Sequence, residues 1–178
     1  YATACVGKWH LGLGWHIDPA RQSPDPKADP VVDYSKPLTA GPHTVGFDYS
    51  YILPASLDMQ PYLYVENGKV TEEPTARVEA SPRPDFWRAG PCAPSFKHQN
   101  CLHDLTKKAV EYIDERGKKK DQPFFLYFPL TSPHTPHTPR PEFAGKSGIG
   151  PYGDLMAETD WSIRHVLEAL TRHGMADN

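Results

Sequence analysis

Apolar positions along the chain mark four elements and a long gap between them. Thr3 to Trp9 is a run of small and apolar side chains, read as a short buried strand. From Cys101 to Lys120, Leu102, Leu105, Ala109, Tyr112 and Ile113 recur at three- and four-residue spacing, which predicts an amphipathic helix. Asn100 is placed to cap its start, and Lys118, Lys119 and Lys120 complement the dipole at its end. Phe124 to Leu130 is continuously apolar and rich in aromatics, as a central strand covered on both faces would be. A second helix is expected from about Asp154 to Arg172, with Asp154 favoured by the dipole at its start. Its buried stripe would be Leu155, Thr159, Ile163, Val166, Leu167 and Leu170, and Gly174 its C-terminal cap. Strand, helix, strand, helix predicts an α/β fold with a largely parallel sheet and helices on its faces.

Between the first strand and the first helix this pattern breaks. Thirteen of the twenty prolines fall between Pro19 and Pro94, which excludes long helices there. Short β segments are expected at Tyr62–Val65 and Lys69–Thr71, joined by a turn at Asn67-Gly68. Residues 13–95 therefore read as an irregular, proline-rich excursion that wraps the core and walls a pocket.

The 178 residues suffice for one domain with a core. A net charge of -3, with acids and bases mixed, argues against nucleic acid as the main partner. No apolar run approaches the ~20 residues of a membrane span. The chain lacks an initiator Met and opens inside a strand, so it is expected to be an interior piece of a longer protein. Cys92 and Cys101 are close enough to close a small loop, Cys5 is left over, and the three do not settle the redox compartment.

Candidate chemistry gathers at the ends of the two strands. Lys8 and His10 stand two apart in Gly7-Lys8-Trp9-His10-Leu11-Gly12. On an extended strand they would share a side and grip a tetrahedral oxyanion between an ammonium and an imidazole. His134 follows the second apolar run, and in an open α/β sheet functional side chains gather beyond the carboxyl ends of strands. His134 with His137 lacks further ligands at zinc-binding spacing. Alternatively, Ser132 to Pro141 reads as an extended polyproline segment. Asp58, Tyr62 and Trp15 could line a pocket or simply pack.

These pieces resemble the type I sulfatases, the arylsulfatase-like branch of the alkaline phosphatase superfamily. Val6 to Gly12 with its lead-in Tyr1-Ala2-Thr3-Ala4-Cys5 is similar to the second signature of that family. Gly41-Pro42, Gly46 to Tyr49, Ala55 to Met59 with Pro61-Tyr62, Pro123 to Tyr127, Ser132 to Pro136 and Tyr152-Gly153-Asp154 follow in the family's order. The resemblance implies an alkaline phosphatase-like α/β fold, incomplete in this chain, with residues 1–178 part of one catalytic domain. It implies hydrolysis of a sulfate ester by the intact parent, acting on a sulfated small molecule or sulfated glycan. Lys8 would bind the sulfate, His10 would bond the nucleophile and help expel sulfate, and His134 would assist the leaving group. The formylglycine nucleophile and the Ca2+ ligands would lie outside this chain. Export to the periplasm, the extracellular space or the lysosome is implied by resemblance alone.

Two segments imitate missing parts. Cys92-Ala93-Pro94-Ser95-Phe96 looks like the motif that becomes formylglycine, but it has Phe96 where Arg belongs and follows the Lys8/His10 signature instead of preceding it. Asp177-Asn178 looks like a metal-binding pair but reads as a turn after the helix. Three other readings remain: a phosphonate monoester hydrolase or phosphodiesterase of the same superfamily, a non-catalytic sulfated-glycan binder, or a proline-rich interaction protein.

Overall fold

The computed structural model describes residues 1–25, 30–83, 85–119 and 121–177. Its main sheet has five strands, in the spatial order Lys69–Val70, Val65–Glu66, Tyr49–Leu53, Ala2–Lys8, Phe124–Tyr127. They are β1 (Ala2–Lys8), β2 (Tyr49–Leu53), β3 (Val65–Glu66), β4 (Lys69–Val70) and β7 (Phe124–Tyr127). A two-stranded ribbon pairs β5 (Ala76–Val78) with β6 (Gly90–Cys92). The helices are α1 (Cys101–Gly117) and α2 (Pro151–Arg172).

β1 runs parallel to both its neighbours, with Lys8 opposite Leu53 of β2 and Cys5 opposite Tyr127 of β7. Ala4, Cys5 and Val6 are fully buried, as a strand flanked on both edges requires. The β3–β4 hairpin turns at Asn67-Gly68, both at positive φ, as its Asn-Gly pair predicts. It adds two antiparallel strands, so the sheet is mixed, and its parallel part is β2-β1-β7.

The excursion at 13–95 is less irregular than its prolines imply. It contains β2, a full member of the sheet, paired in parallel with β1, and the described residues between the two strands form short 3-10 turns but no α-helix. Tyr62 to Tyr64 contributes only an isolated bridge from Tyr62 to Cys92, and the first strand of the hairpin begins at Val65.

α1 packs on β1 and β2 through Leu105, Ala109 and Ile113, all fully buried. Tyr112 is half-buried and stacks on Tyr49. Asn100 does not cap the helix by its side chain, because a 3-10 turn at His98–Asn100 runs directly into it and gives Asn100 helical dihedrals. Lys120 lies outside the described residues, as does Asn178.

α2 packs on α1, and its inward face differs from the expected stripe. Leu155 and Thr159 are buried, but Ile163 and Leu167 are 44% and 54% exposed. The contact is made by small residues instead: Ser162 and Ala169 are fully buried, and the Ser162 hydroxyl lies 2.6 Å from that of Thr106 on α1. Asp114 of α1 holds Arg172 at 2.6 Å and His173 at 2.8 Å. Gly174, at φ 66°, terminates α2 as expected, with Met175 N–H donating to Leu170 O.

The apolar run after α1 is a strand only over Phe124–Tyr127, and it occupies the end of the sheet instead of its centre. Phe124 meets Tyr112 of α1. Phe125 and Tyr127 point to the other face, where Phe47 stacks on both and leaves them 54% and 40% exposed.

Gly7 sets how closely β1 approaches the chain beyond β7. It sits at φ 141°, and a Cβ there would lie 2.1 Å from the carbonyl oxygen of Pro129. Gly7→Ala is expected to lower the unfolding free energy by about 3 kcal/mol. Denaturant unfolding measures this, and an unchanged midpoint would contradict the close approach.

Candidate active site

The three parallel strands end on the same side of the sheet, and the polar candidates follow those ends. Lys8 is the last residue of β1, and its N–H donates to Pro129 O at 2.8 Å. The next two residues continue the pairing without strand geometry: Trp9 N–H donates to Leu53 O and His10 N–H to Pro54 O. Buried Trp9 closes the turn with its indole N–H on Gly12 O at 2.7 Å.

His10 has φ 53°, so side-chain alternation stops at Lys8. A left-handed turn, not the period of a strand, directs the imidazole. His10 is exposed and Lys8 half-buried.

His134 arrives from the loop after β7. Its Nδ1 lies 2.6 Å from Thr135 O, and because a carbonyl only accepts, Nδ1 carries the proton. The same nitrogen is 3.3 Å from the buried Ser56 hydroxyl and 3.9 Å from Oδ1 of Asp58. Direct contacts thus join His134 to the segment after β2. Lys8 and His10 are tied by backbone bonds to the two segments that carry His134 and Ser56. His137 stays apart, with Nε2 at 3.2 Å from Pro133 O and its ring against Tyr152.

Ser56 and Arg88 are not singled out by the sequence, which offers Asp58 only as a residue that lines a pocket or packs. Asp58 is nearly buried, and its Oδ2 accepts from Arg88 Nη1 at 2.7 Å. Burial opposes its ionisation, but the Ser56 hydroxyl and the Arg88 guanidinium outweigh it and hold the carboxyl below the usual range. The available signal was Ser56-Leu57-Asp58, separated by two residues from the apolar run Tyr51-Ile52-Leu53. Tyr62 and Trp15 are packing residues. Tyr62 is fully buried with its hydroxyl on Arg88 O, and Trp15 meets Tyr34 edge to face.

Beneath His134 lies a cavity of about 10 Å³, bounded by His98, Thr131, Ser132, Leu155 and Glu158, among others. Glu158 of α2 is buried; its Oε2 accepts from Arg140 N–H at 3.0 Å and pins the histidine loop, while Oε1 has no hydrogen-bond partner among the described residues. Burial pushes its carboxyl up to about 7. Burial also pushes His98, whose Nε2 has no hydrogen-bond partner among the described residues, down to about 4. Asp154 lies in the first turn of α2, where the helix dipole favours it. It accepts from Ser147 and Gly145 N–H at 2.8 and 2.7 Å and ties down the loop before α2.

No group of three or more His, Cys, Asp or Glu among the described residues is placed to hold a metal. Lys8, His10 and His134 offer nitrogen, which does not suit calcium, and Asp58 is already paired with Arg88. The described residues therefore do not form a calcium site. Cys92 lies buried in β6 with its thiol pushed up by burial, an unsuitable nucleophile. All three cysteines are free thiols, so Cys92 and Cys101 close no loop.

The family profile described as Sulfatase matches residues 1–178. This chain belongs to the sulfatase family. It is 31% identical to an N-acetylgalactosamine-6-O-sulfatase of Bacteroides thetaiotaomicron, covering 100% of the chain and 38% of that protein. It is 27% identical to the steryl-sulfatase of Rattus norvegicus, covering 100% of the chain and 36% of that protein. Among solved structures it superposes on a Bacteroides thetaiotaomicron sulfatase, described under the metabolism of multiple glycosaminoglycans, with a TM-score of 0.76 and 29% identity. That match covers 100% of the chain and 41% of the other. The chain thus spans about two fifths of the length of these relatives.

Glu158 gives this sulfatase chain a pH signature. Its carboxyl titrates near 4.5 when unfolded and near 7 when folded. Between these values the folded state holds the proton and the unfolded state does not, so Glu158 makes stability fall as pH rises. His98 contributes the opposite slope between about 4 and 6.5. Glu158→Gln is therefore expected to gain stability relative to the unaltered chain as pH rises from 4.5 to 7. Paired urea titrations at the two pH values check this, and a constant difference would contradict it.

Proposed function

We propose that the protein carrying this chain hydrolyses a sulfate ester to an alcohol or phenol and inorganic sulfate. The observation that carries the reading is the sulfatase match over the whole chain, with Lys8 at the carboxyl end of β1, the middle strand of the parallel part of the sheet, and His10 in the turn just beyond it.

In this reading Lys8 places its ammonium against the sulfate oxygens. It balances charge that the ester carries throughout and that shifts toward the leaving oxygen as the S–O bond breaks. His10 hydrogen-bonds the nucleophile and takes up a proton when sulfate is expelled. His134 presents Nε2 to the bridging oxygen and supplies the proton that the departing alkoxide or phenoxide needs. By family resemblance, a calcium ion would position the sulfate and a formylglycine hydrate would supply the attacking oxygen, and residues outside this chain would hold both. The relatives named for N-acetylgalactosamine 6-sulfate and glycosaminoglycans favour a sulfated glycan as substrate. Residues 1–178 then form part of one catalytic domain, with the excursion at 13–95 walling the substrate pocket. Among the described residues no helix is long and apolar enough to cross a membrane. A periplasmic, extracellular or lysosomal enzyme fits this reading.

In the full-length protein, Lys8→Ala and His10→Ala are each expected to lower kcat/KM for an aryl sulfate by about 10²–10⁴. Residues 1–178 expressed alone are expected to show no turnover. Initial rates with 4-nitrophenyl sulfate and 4-nitrophenyl phosphate check the assignment, and a preference for phosphate or indifference to His10→Ala would contradict it. His10→Gly separates chemistry from folding: the left-handed backbone accepts glycine, so stability should stay within about 1 kcal/mol while activity is lost.

A further inference from the structure

We infer that Asp58 is a positioning residue for His134, supplying the fixed counter-charge for a doubly protonated ring. The inference rests on the proposed role of His134 toward the leaving group. Asp58 Oδ1 is buried and, beyond the influence of the nearby Ser56 hydroxyl, makes no hydrogen bond of ordinary geometry among the described residues; it lies 3.9 Å from His134 Nδ1. Buried carboxylate oxygens are ordinarily satisfied, so an orphan facing an imidazole calls for an explanation.

The carboxylate cannot swing away. Arg88 Nη1 holds Oδ2 at 2.7 Å, and Arg88 N–H donates to Asp58 O at 3.1 Å. The ring is also constrained, because its Nδ1 proton is committed to Thr135 O. Nε2 makes no hydrogen bond among the described residues and is the nitrogen left to face a substrate. A neutral ring in this tautomer offers Nε2 only a lone pair. It can protonate a leaving oxygen only after taking a second proton. A negative charge fixed beside Nδ1 stabilises that second proton, and the guanidinium on the far carboxylate oxygen tempers the effect. As the nucleophile's oxygen bonds to sulfur and the ester S–O bond breaks, its electron pair goes to the leaving oxygen. That oxygen takes the Nε2 proton, the ring returns to neutral, and Asp58 keeps its charge throughout.

The other groups around His134 are the Ser56 hydroxyl, and His98 and Glu158 across the small cavity; His137 in the same loop is bonded to Pro133 O. Glu158 engages Arg140, and neither it nor His98 contacts the ring through a hydrogen bond.

Two readouts on the full-length protein test this. The first is turnover of a series of phenyl sulfates from 4-nitrophenyl to unsubstituted phenyl. Asp58→Asn should lower kcat about 10-fold or more for phenyl sulfate, less than 3-fold for the nitrophenyl ester, and leave KM unchanged, steepening the leaving-group dependence. Equal losses across the series would overturn the proposal. The second readout needs no turnover: the ring signal of [13Cε1]-histidine-labelled protein, identified by its loss in His134→Gln. It should titrate at lower pH in Asp58→Asn and at higher pH in Arg88→Gln. Shifts of the same sign, or none, would overturn the proposal. Should Asp58→Asn fail to fold, Arg88→Gln alone decides by the direction of its shift. Absence of sulfate-ester turnover with the predicted pair of shifts would remove the sulfatase reading and leave the Asp58–His134 coupling in place.

Discussion

Everything at the candidate site depends on the parallel pairing of β1 with β2 on one edge and β7 on the other. Parallel strands end on a common side, so segments far apart in sequence arrive at one place. The pairing also outlasts the strand. Lys8, Trp9 and His10 each donate a backbone N–H to a neighbouring segment, at Pro129, Leu53 and Pro54. These bonds carry β1 into the turn that presents Lys8 and His10. Gly7 permits the approach on the β7 side, because the carbonyl of Pro129 occupies the space a side chain would need.

Around this frame, buried carboxylates fasten the loops, each in a different electrostatic setting. Asp154 accepts two backbone N–H groups and Asp58 a guanidinium, and both are held below the ordinary carboxylate range. Glu158 receives a single N–H in a buried place and is raised toward neutrality. The number of donors relative to burial decides the sign in each case. Together Glu158 and Asp58 border the loop that carries His134 from two directions.

Much of this was legible in the chain. Both helices, the hairpin at Asn67-Gly68 and the first strand follow from periodicity and turn chemistry. β2 was not read as a strand, because Tyr49 to Leu53 is only five residues long and ends against Pro54 in a proline-rich stretch. The face of α2 was misjudged because the interface is built from Ser162, Ala169 and a hydroxyl pair, which leaves Ile163 and Leu167 outside. Hydrophobic periodicity assumes that the bulkiest residues point inward, and here close approach selected small ones. His10 shows the same limit at the site: its neighbourhood to Lys8 was visible, but the left-handed turn that orients it was not. The meeting of Ser56 and Asp58 with His134, and of Arg88 with Asp58, was hidden because it depends on β2, the strand that escaped detection.

The central claim is that Lys8, His10 and His134 face one sulfate at the carboxyl ends of the parallel strands. A crystal structure of the full-length protein with a bound sulfate monoester or inorganic sulfate tests it most directly. The account predicts Lys8 Nζ within about 3.2 Å of a non-bridging sulfate oxygen and His134 Nε2 turned toward the bridging position. Sulfate bound elsewhere, with Lys8 and His134 facing away from it, would contradict the account.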